Sequence, residues 1–176
     1  MEYLVTGSKG FIGRNLVRYF ADQRIPFFTD LDEWIADTLI HLSAMTNVRE
    51  SVKYPDDTFD RNSESTFDRL RHAYRRDFKK FIFTSSIGAA NPLNPYLASK
   101  ACGEAYCKAF KESYGLDTKI LRLSNVYGPR SEYKNSVIPK FIKAAIAGEP
   151  FFIYGDGDQT RDFIYVDDVV NVILNA

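Results

Sequence analysis

Tyr96 and Lys100, in "YLASK", stand four residues apart, which on a helix sets a phenol and an ammonium on one face, one turn apart. A phenol near its ordinary pKa of about 10 is a poor base at neutral pH, but an ammonium beside it favours the phenolate. Such a pair can take the proton of a substrate hydroxyl and return it. By composition alone the pair decides nothing, since a chain with 11 tyrosines meets roughly 0.7 Tyr-x-x-x-Lys pairs by chance.

A second constellation opens the chain. "YLVTGSKGFIG" spaces Gly7, Gly10 and Gly13 at intervals of three, with Phe11 and Ile12 between the last two, after a strand-like run and before a helical one. Glycines in that setting allow a tight turn, close backbone approach to a pyrophosphate, and close packing of helix on strand, while the helix N-terminus favours the anion. About 20 residues after the middle glycine, the second apolar run ends in Asp30, with Asp32 as the alternative. A carboxylate there accepts hydrogen bonds from an adenosine ribose and repels a 2′-phosphate, which favours NAD over NADP.

The elements that must position these residues alternate strand-length apolar runs with longer segments of helical period, the pattern of a parallel sheet covered by helices. Strands are expected near 2–6, 25–29, 38–42, 80–84 and 118–123, and helices near 11–23, 58–77, 95–114 and 136–147. A further strand-like run near 161–165 precedes a helix start at Asp167 or Asp168. In the 58–77 helix, Phe67, Leu70, Tyr74 and Phe78 fall on one stripe, so its charges read as a solvated face. The length is that of one domain.

With 45% hydrophobic and 26% charged residues, and 23 basic residues balancing 23 acidic ones, the composition carries no electrostatic footprint for nucleic acid. There is no apolar run long enough to span a bilayer. "MEYLVTGSKG" has no basic-then-apolar signal pattern, so a cytoplasmic protein is expected. Cys102 and Cys107 read as small buried or half-buried residues, not as a disulfide. No metal ligand set is identified.

Several stretches together resemble the extended short-chain dehydrogenase/reductase superfamily, and within it the NAD-dependent epimerase/dehydratase family acting on nucleotide sugars. They are "TGSKGFIG", "LIHLSA" (39–44), "FIFTSS" (81–86), "YLASK", "LRLSNVYGPR" (121–130) and "YGDGDQTRDFIYVDDVV" (154–170), in the family's order and spanning nearly the whole chain. The resemblance implies a Rossmann-like, doubly wound α/β sheet in a single NAD-binding domain over 1–176, with 121–176 carrying partial substrate-binding motifs.

It also implies roles for residues. Tyr96 would take the proton of a sugar hydroxyl as hydride leaves for NAD, Lys100 would hold the nicotinamide ribose, and Ser86 would orient the reacting oxygen. Leu42, Ser43 and Ala44 would line the dinucleotide, and Asn62, in "NSEST", resembles the asparagine that opens the helix beneath the cofactor. A capping asparagine is the alternative there. Asn125 and Arg161 match positions that contact a sugar-nucleotide diphosphate, which a guanidinium can grip with paired hydrogen bonds. His41 reads as a core or strand-end histidine.

Family members that dehydrate or decarboxylate usually carry acids just after the active-site hydroxyl residue, where this chain has Ile87 and Gly88. The implied reaction is therefore 4-epimerisation of a nucleotide-diphosphate sugar through transient oxidation; a 4-keto reductase or a minimal, non-catalytic NAD-binding module are the alternatives. Relative to the family, one outer strand-helix unit is expected to be missing, leaving the sheet order 2-1-3-4-5 with strand 2 a bare edge. Only nine residues separate Ser86 from Tyr96, and most of the C-terminal substrate domain is expected to be lacking. A homodimer is a further expectation, through the small residues Ala98, Ala101, Cys102, Ala105 and Ala109; packing of that face on the sheet is the alternative.

Overall fold

In a computed structural model that describes residues 1–29 and 36–176, strand β1 (Tyr3–Thr6) is buried at every residue, and so is β3 (Thr38–His41). Strands buried on both faces belong to a parallel sheet covered by helices. With β2 (Phe27–Phe28), β4 (Lys80–Ser86) and β5 (Asp117–Leu123) they form a five-stranded, all-parallel sheet of order β2-β1-β3-β4-β5. This is the order the sequence predicts.

Alternation along the strands sorts the core into two layers. Leu4, Leu39, Phe81 and Phe83 pack on Leu70, Ala73, Cys107 and Phe110, which belong to α4 (Ser65–Arg75) and α5 (Pro95–Tyr114). Tyr3, Val5, Ile40 and Ile82 pack on Leu16 and Phe20 of α1 (Phe11–Asp22) and on Val169, Val170 and Ile173 of a C-terminal helix. Helices on both faces of one parallel sheet make the fold doubly wound and Rossmann-like.

Parallel strands bring their C-terminal ends to one edge. Thr6, His41 and Phe83 are in register there, and β4 runs on to Ser86, which pairs with Leu123. The segments leaving this edge are the glycine turn, residues 42–47, and the 3-10 turn Ile87–Ala90 that leads to α5.

Several elements differ from the sequence reading. The β2 run is only two residues long. Two short helices, α2 (Val48–Lys53) and α3 (Pro55–Thr58), precede a π-helical stretch, Phe59–Glu64, that passes directly into α4. Tyr74 is exposed and stacks near Tyr114, while Ala73 takes the core position, because the helix turns it inward at that point. Asn125–Tyr127 forms β6 and pairs in parallel with β7 (Phe163–Tyr165) as a separate two-stranded sheet. Between them lies α6 (Val137–Ala147), and α7 (Val166–Asn175) begins one residue before the expected aspartates. Asp30 and Asp32 lie outside the described residues.

Candidate active site

The glycine turn is built as a dinucleotide cradle requires. Gly7 has φ +74°, and the Gly10 N–H closes the turn onto the Gly7 carbonyl at 2.9 Å. A Cβ at Gly7 would stand 2.6 Å from the Ser43 nitrogen, and one at Gly13 only 2.1 Å from the Gly7 oxygen. Neither side chain fits, so the turn, the start of α1 and the segment Leu42–Ala44 are held in contact by absent side chains. Gly10 caps α1 without a side-chain bond and no carboxylate stands in its first turn. Phe11, Ile12 and Gly13 therefore open a helix N-terminus ready for an anion, and the cradle fits a dinucleotide pyrophosphate.

The segment after β5 folds onto this helix. Asn15 Nδ2 donates to the Pro129 carbonyl at 3.0 Å, and Arg130 donates to Asn15 Oδ1 at 2.9 Å. The loop of "NVYGPR" is thereby fixed beside the glycine turn. Tyr127 and Gly128 shape it, with the Gly128 carbonyl accepting from Ser131 Oγ at 2.6 Å.

α5 starts with Asn94 as its cap, accepting from the Leu97 N–H, and with Pro95 at the first position, where its missing N–H is harmless. Tyr96 follows, half-buried, and burial raises its phenol pKa. Lys100, one turn on, is only 4% exposed; its Nζ donates to the Thr84 carbonyl at 2.8 Å and lies 4.8 Å over the Phe83 ring. Desolvation pushes this ammonium down to about 8. The sequence-based expectation that Lys100 favours the Tyr96 phenolate is not met in this arrangement, because the ammonium is directed into β4 and burial of the phenol dominates.

Ser86 ends β4, and its Oγ accepts from the Gly88 N–H at 3.4 Å, so it caps the 3-10 turn while staying half-buried at the sheet edge. Its neighbour Ser85 faces the other way and donates to Glu104 at 2.6 Å. Ile87 and Gly88 place no carboxylate at this corner.

His41 is fully buried between Thr6 Oγ1 (2.7 Å) and Thr66 Oγ1 (3.2 Å). It is a core histidine, with burial pushing its pKa down to about 3. Asn62 sits inside the π-helical stretch and caps nothing. Its amide bridges both backbone groups of Met45, at 2.7 and 3.0 Å, and donates to Ser99 Oγ at 2.9 Å. Asn125 and Arg161 are exposed at the start of the β6–β7 pair. Asn125 Nδ2 donates to the Asp162 carbonyl and Arg161 to the Thr160 carbonyl. Cys107 is buried and Cys102 half-buried, both as free thiols.

Ser51 and Ser99 were not singled out by the sequence. Ser51 Oγ accepts the Tyr96 N–H at 3.2 Å across 45 residues of chain, and Ser99 Oγ donates to the Tyr96 carbonyl at 2.7 Å. "RESVKYP" carries no local signal for such a contact, since it depends on how α2 packs against α5. Among the described residues, no group of three or more His, Cys, Asp or Glu is placed to hold a metal ion, and no helix is long and apolar enough to cross a membrane.

The sequence pattern described as the NAD dependent epimerase/dehydratase family matches residues 28–176. A Methanocaldococcus jannaschii relative, whose own assignment as a UDP-glucose 4-epimerase is provisional, is 38% identical over 100% of this chain. The chain spans 64% of that relative's length. A UDP-N-acetylglucosamine 4-epimerase from Methanobrevibacter ruminantium superposes with a TM-score of 0.90 at 32% identity, over 98% of this chain and 71% of that one. The Thermus thermophilus UDP-glucose 4-epimerase, solved in complex with NAD, gives 0.88 at 27% identity over 100% and 74%.

Proposed function

The chain belongs to the NAD dependent epimerase/dehydratase family, and on that premise we propose that it is an NAD-dependent 4-epimerase of nucleotide-diphosphate sugars. The observation that carries the reading is that the glycine turn after β1 and Ser86 at the end of β4 lie on the same edge of the parallel sheet, and that the 3-10 turn after Ser86 leads into α5 with Tyr96 and Lys100 in its first two turns. The cradle would hold the dinucleotide through Gly7, Gly10, Gly13 and the N–H groups of Phe11 and Ile12. NAD, when bound, supplies a reversible hydride acceptor.

The chain's own residues handle the proton and the orientation. Tyr96, as phenolate, takes the proton of the sugar 4-hydroxyl as the C4 hydride leaves, and gives it back to the same oxygen once the 4-keto sugar has turned its other face, so that hydride returning to that face inverts C4. Ser86 Oγ, already held by the Gly88 N–H, donates to that oxygen and fixes its distance from the phenol. Lys100 is the cation of the pair and reaches a ribose by leaving the Thr84 carbonyl. Leu42, Ser43 and Ala44 would line the dinucleotide, with Asp30 on its adenosine ribose. Asn62, its side chain engaged with Met45 and Ser99, would support that wall from behind. Arg161 and Asn125 would grip the sugar-nucleotide diphosphate. Inversion at C4 needs no further acid, and the corner after Ser86 offers none.

We place the protein in the cytoplasm as a homodimer. Ala98, Ala105 and Ala109 are exposed while Ala101 and Cys102 are half-buried, so most of the small-residue face of α5 is turned away from the sheet, which favours pairing with a second copy over packing on the sheet.

A second reading, an NAD-binding module without turnover, is favoured by one observation: the Lys100 ammonium is engaged by Thr84 and not by the phenol. Incubation with NAD and a panel of UDP-, dTDP- and GDP-hexoses, followed by NMR, separates the readings. Interconversion of the 4-epimers supports the epimerase; reduction of NAD with formation of a 4-keto sugar and no second epimer identifies a 4-keto reductase running in reverse; NAD binding with no product from any donor refutes both enzymes and leaves the binding module.

A further inference from the structure

Tyr96 is the second residue of α5, so its N–H has no acceptor within the helix. Asn94 serves the neighbouring donors, Leu97 through its side chain and Ala98 through its carbonyl, and Pro95 has no N–H to satisfy. The Tyr96 N–H is met instead from another element, by Ser51 Oγ at 3.2 Å. Ser51 is fully buried, and its own proton is committed to the Val48 carbonyl at 2.8 Å, which leaves its lone pairs for Tyr96. The carbonyl of Tyr96 is held from the other side by Ser99 Oγ at 2.7 Å. Ser99 accepts from Asn62 at 2.9 Å, and Asn62 grips both backbone groups of Met45, the residue after Leu42–Ala44.

Resting on the reading of Tyr96 as the proton-transfer group, we propose that Ser51 is a positioning residue: its hydroxyl, opposed by Ser99 and Asn62, fixes the Tyr96 backbone and so the distance of the phenol from the reacting oxygen. Both backbone polar groups of one residue are thereby held by buried side chains, Ser51 of α2 and Ser99 of α5, with Asn62 of the π-helical stretch behind Ser99. The chain Met45–Asn62–Ser99–Tyr96 ties the wall of the dinucleotide site to the same tyrosine, so the phenol and the cofactor share one reference frame. Proton transfer is steep in distance, and a displacement near 1 Å costs about a hundredfold in rate.

The test compares Ser51→Ala and Ser99→Ala with wild type by four readouts: kcat, KM for the sugar nucleotide, NAD affinity by calorimetry, and exchange of the Tyr96 amide proton. Expected is a fall in kcat of roughly ten- to a hundredfold, with KM and the NAD Kd within about twofold, and faster Tyr96 amide exchange in Ser51→Ala. A kcat within about twofold of wild type, or a loss that tracks loss of NAD affinity, overturns the proposal. If Ser51→Ala does not fold, Ser99→Ala decides by the same split. A wild type with no turnover refutes the proposed function on its own account; the clamp is then judged by exchange, and an unchanged Tyr96 amide rate in Ser51→Ala overturns it.

Discussion

The Lys100 ammonium donates to the Thr84 carbonyl oxygen at 2.8 Å, a buried cation with a neutral acceptor and, among the described residues, no carboxylate in contact. Burial therefore lowers its pKa to about 8, while in the unfolded chain it is near 10.5. Between those values the unfolded state binds the extra proton, so stability rises with pH, by about 1.4 kcal/mol per pH unit. Cys107 opposes this at higher pH: burial pushes its thiol up to about 12 from 9, so above 9 the unfolded chain loses a proton that the fold keeps. Stability should rise between pH 8 and 9 and then level off. Lys100→Met should remove that rise and unfold at a higher urea concentration than wild type at neutral pH, while losing turnover. Urea midpoints across the window check both signs.

His41 governs the acid side. Its ring lies between Thr6 and Thr66, and its pKa falls from 6.5 to about 3, by burial first and then by the nearby Lys100 and Arg69 charges. As pH drops below 6.5 the unfolded chain takes up a proton that the fold refuses until about 3. Stability should fall by about 1.4 kcal/mol per pH unit across that interval. His41→Asn should be less stable than wild type near neutrality and flatter in acid; an unchanged acid slope in that variant would count against this assignment.

The sheet was legible because burial on both faces forces continuous apolar runs at β1, β3 and β4, and the glycine intervals mark where β1 turns into α1. What escaped the sequence is non-local or short. The helix Val48–Lys53 is six residues long, too brief for a period, and the β6–β7 pairing joins three-residue strands far apart in the chain. Tyr96, Lys100 and Ser86 could be named from residue type and order. The direction of the Lys100 side chain could not, since a flexible four-carbon stem on a helix reaches either the phenol or the strand beneath, and the Thr84 carbonyl and Phe83 face decide it. The Ser51 contact likewise exists only once α2 lies on α5.

Gly13→Ala should separate cradle from chemistry. The added Cβ would stand 2.1 Å from the Gly7 oxygen, so the turn has to open and the α1 N-terminus shifts away from where a pyrophosphate would sit. Overpacking of this kind costs about 1–3 kcal/mol of stability. NAD affinity measured by calorimetry should drop by tenfold or more, in the region of 1.4 kcal/mol. Retention of wild-type affinity would show that the cradle is not where the dinucleotide rests.

Tyr96→Phe removes one oxygen and leaves the ring in its half-buried place. No described residue donates to or accepts from that oxygen, so its loss should leave folding and NAD affinity near wild type. Proton transfer by a positioned group is worth about 10²–10⁴ in rate, and kcat for epimer interconversion should fall by that amount with KM little changed. Burial raises the phenol pKa, so in wild type the phenolate is the minor form at neutrality and kcat should climb as pH rises from about 7 towards 9. The residual rate of the phenylalanine variant should lack that climb. Equal rates in the two proteins, or the same pH dependence in both, would remove Tyr96 from the reaction.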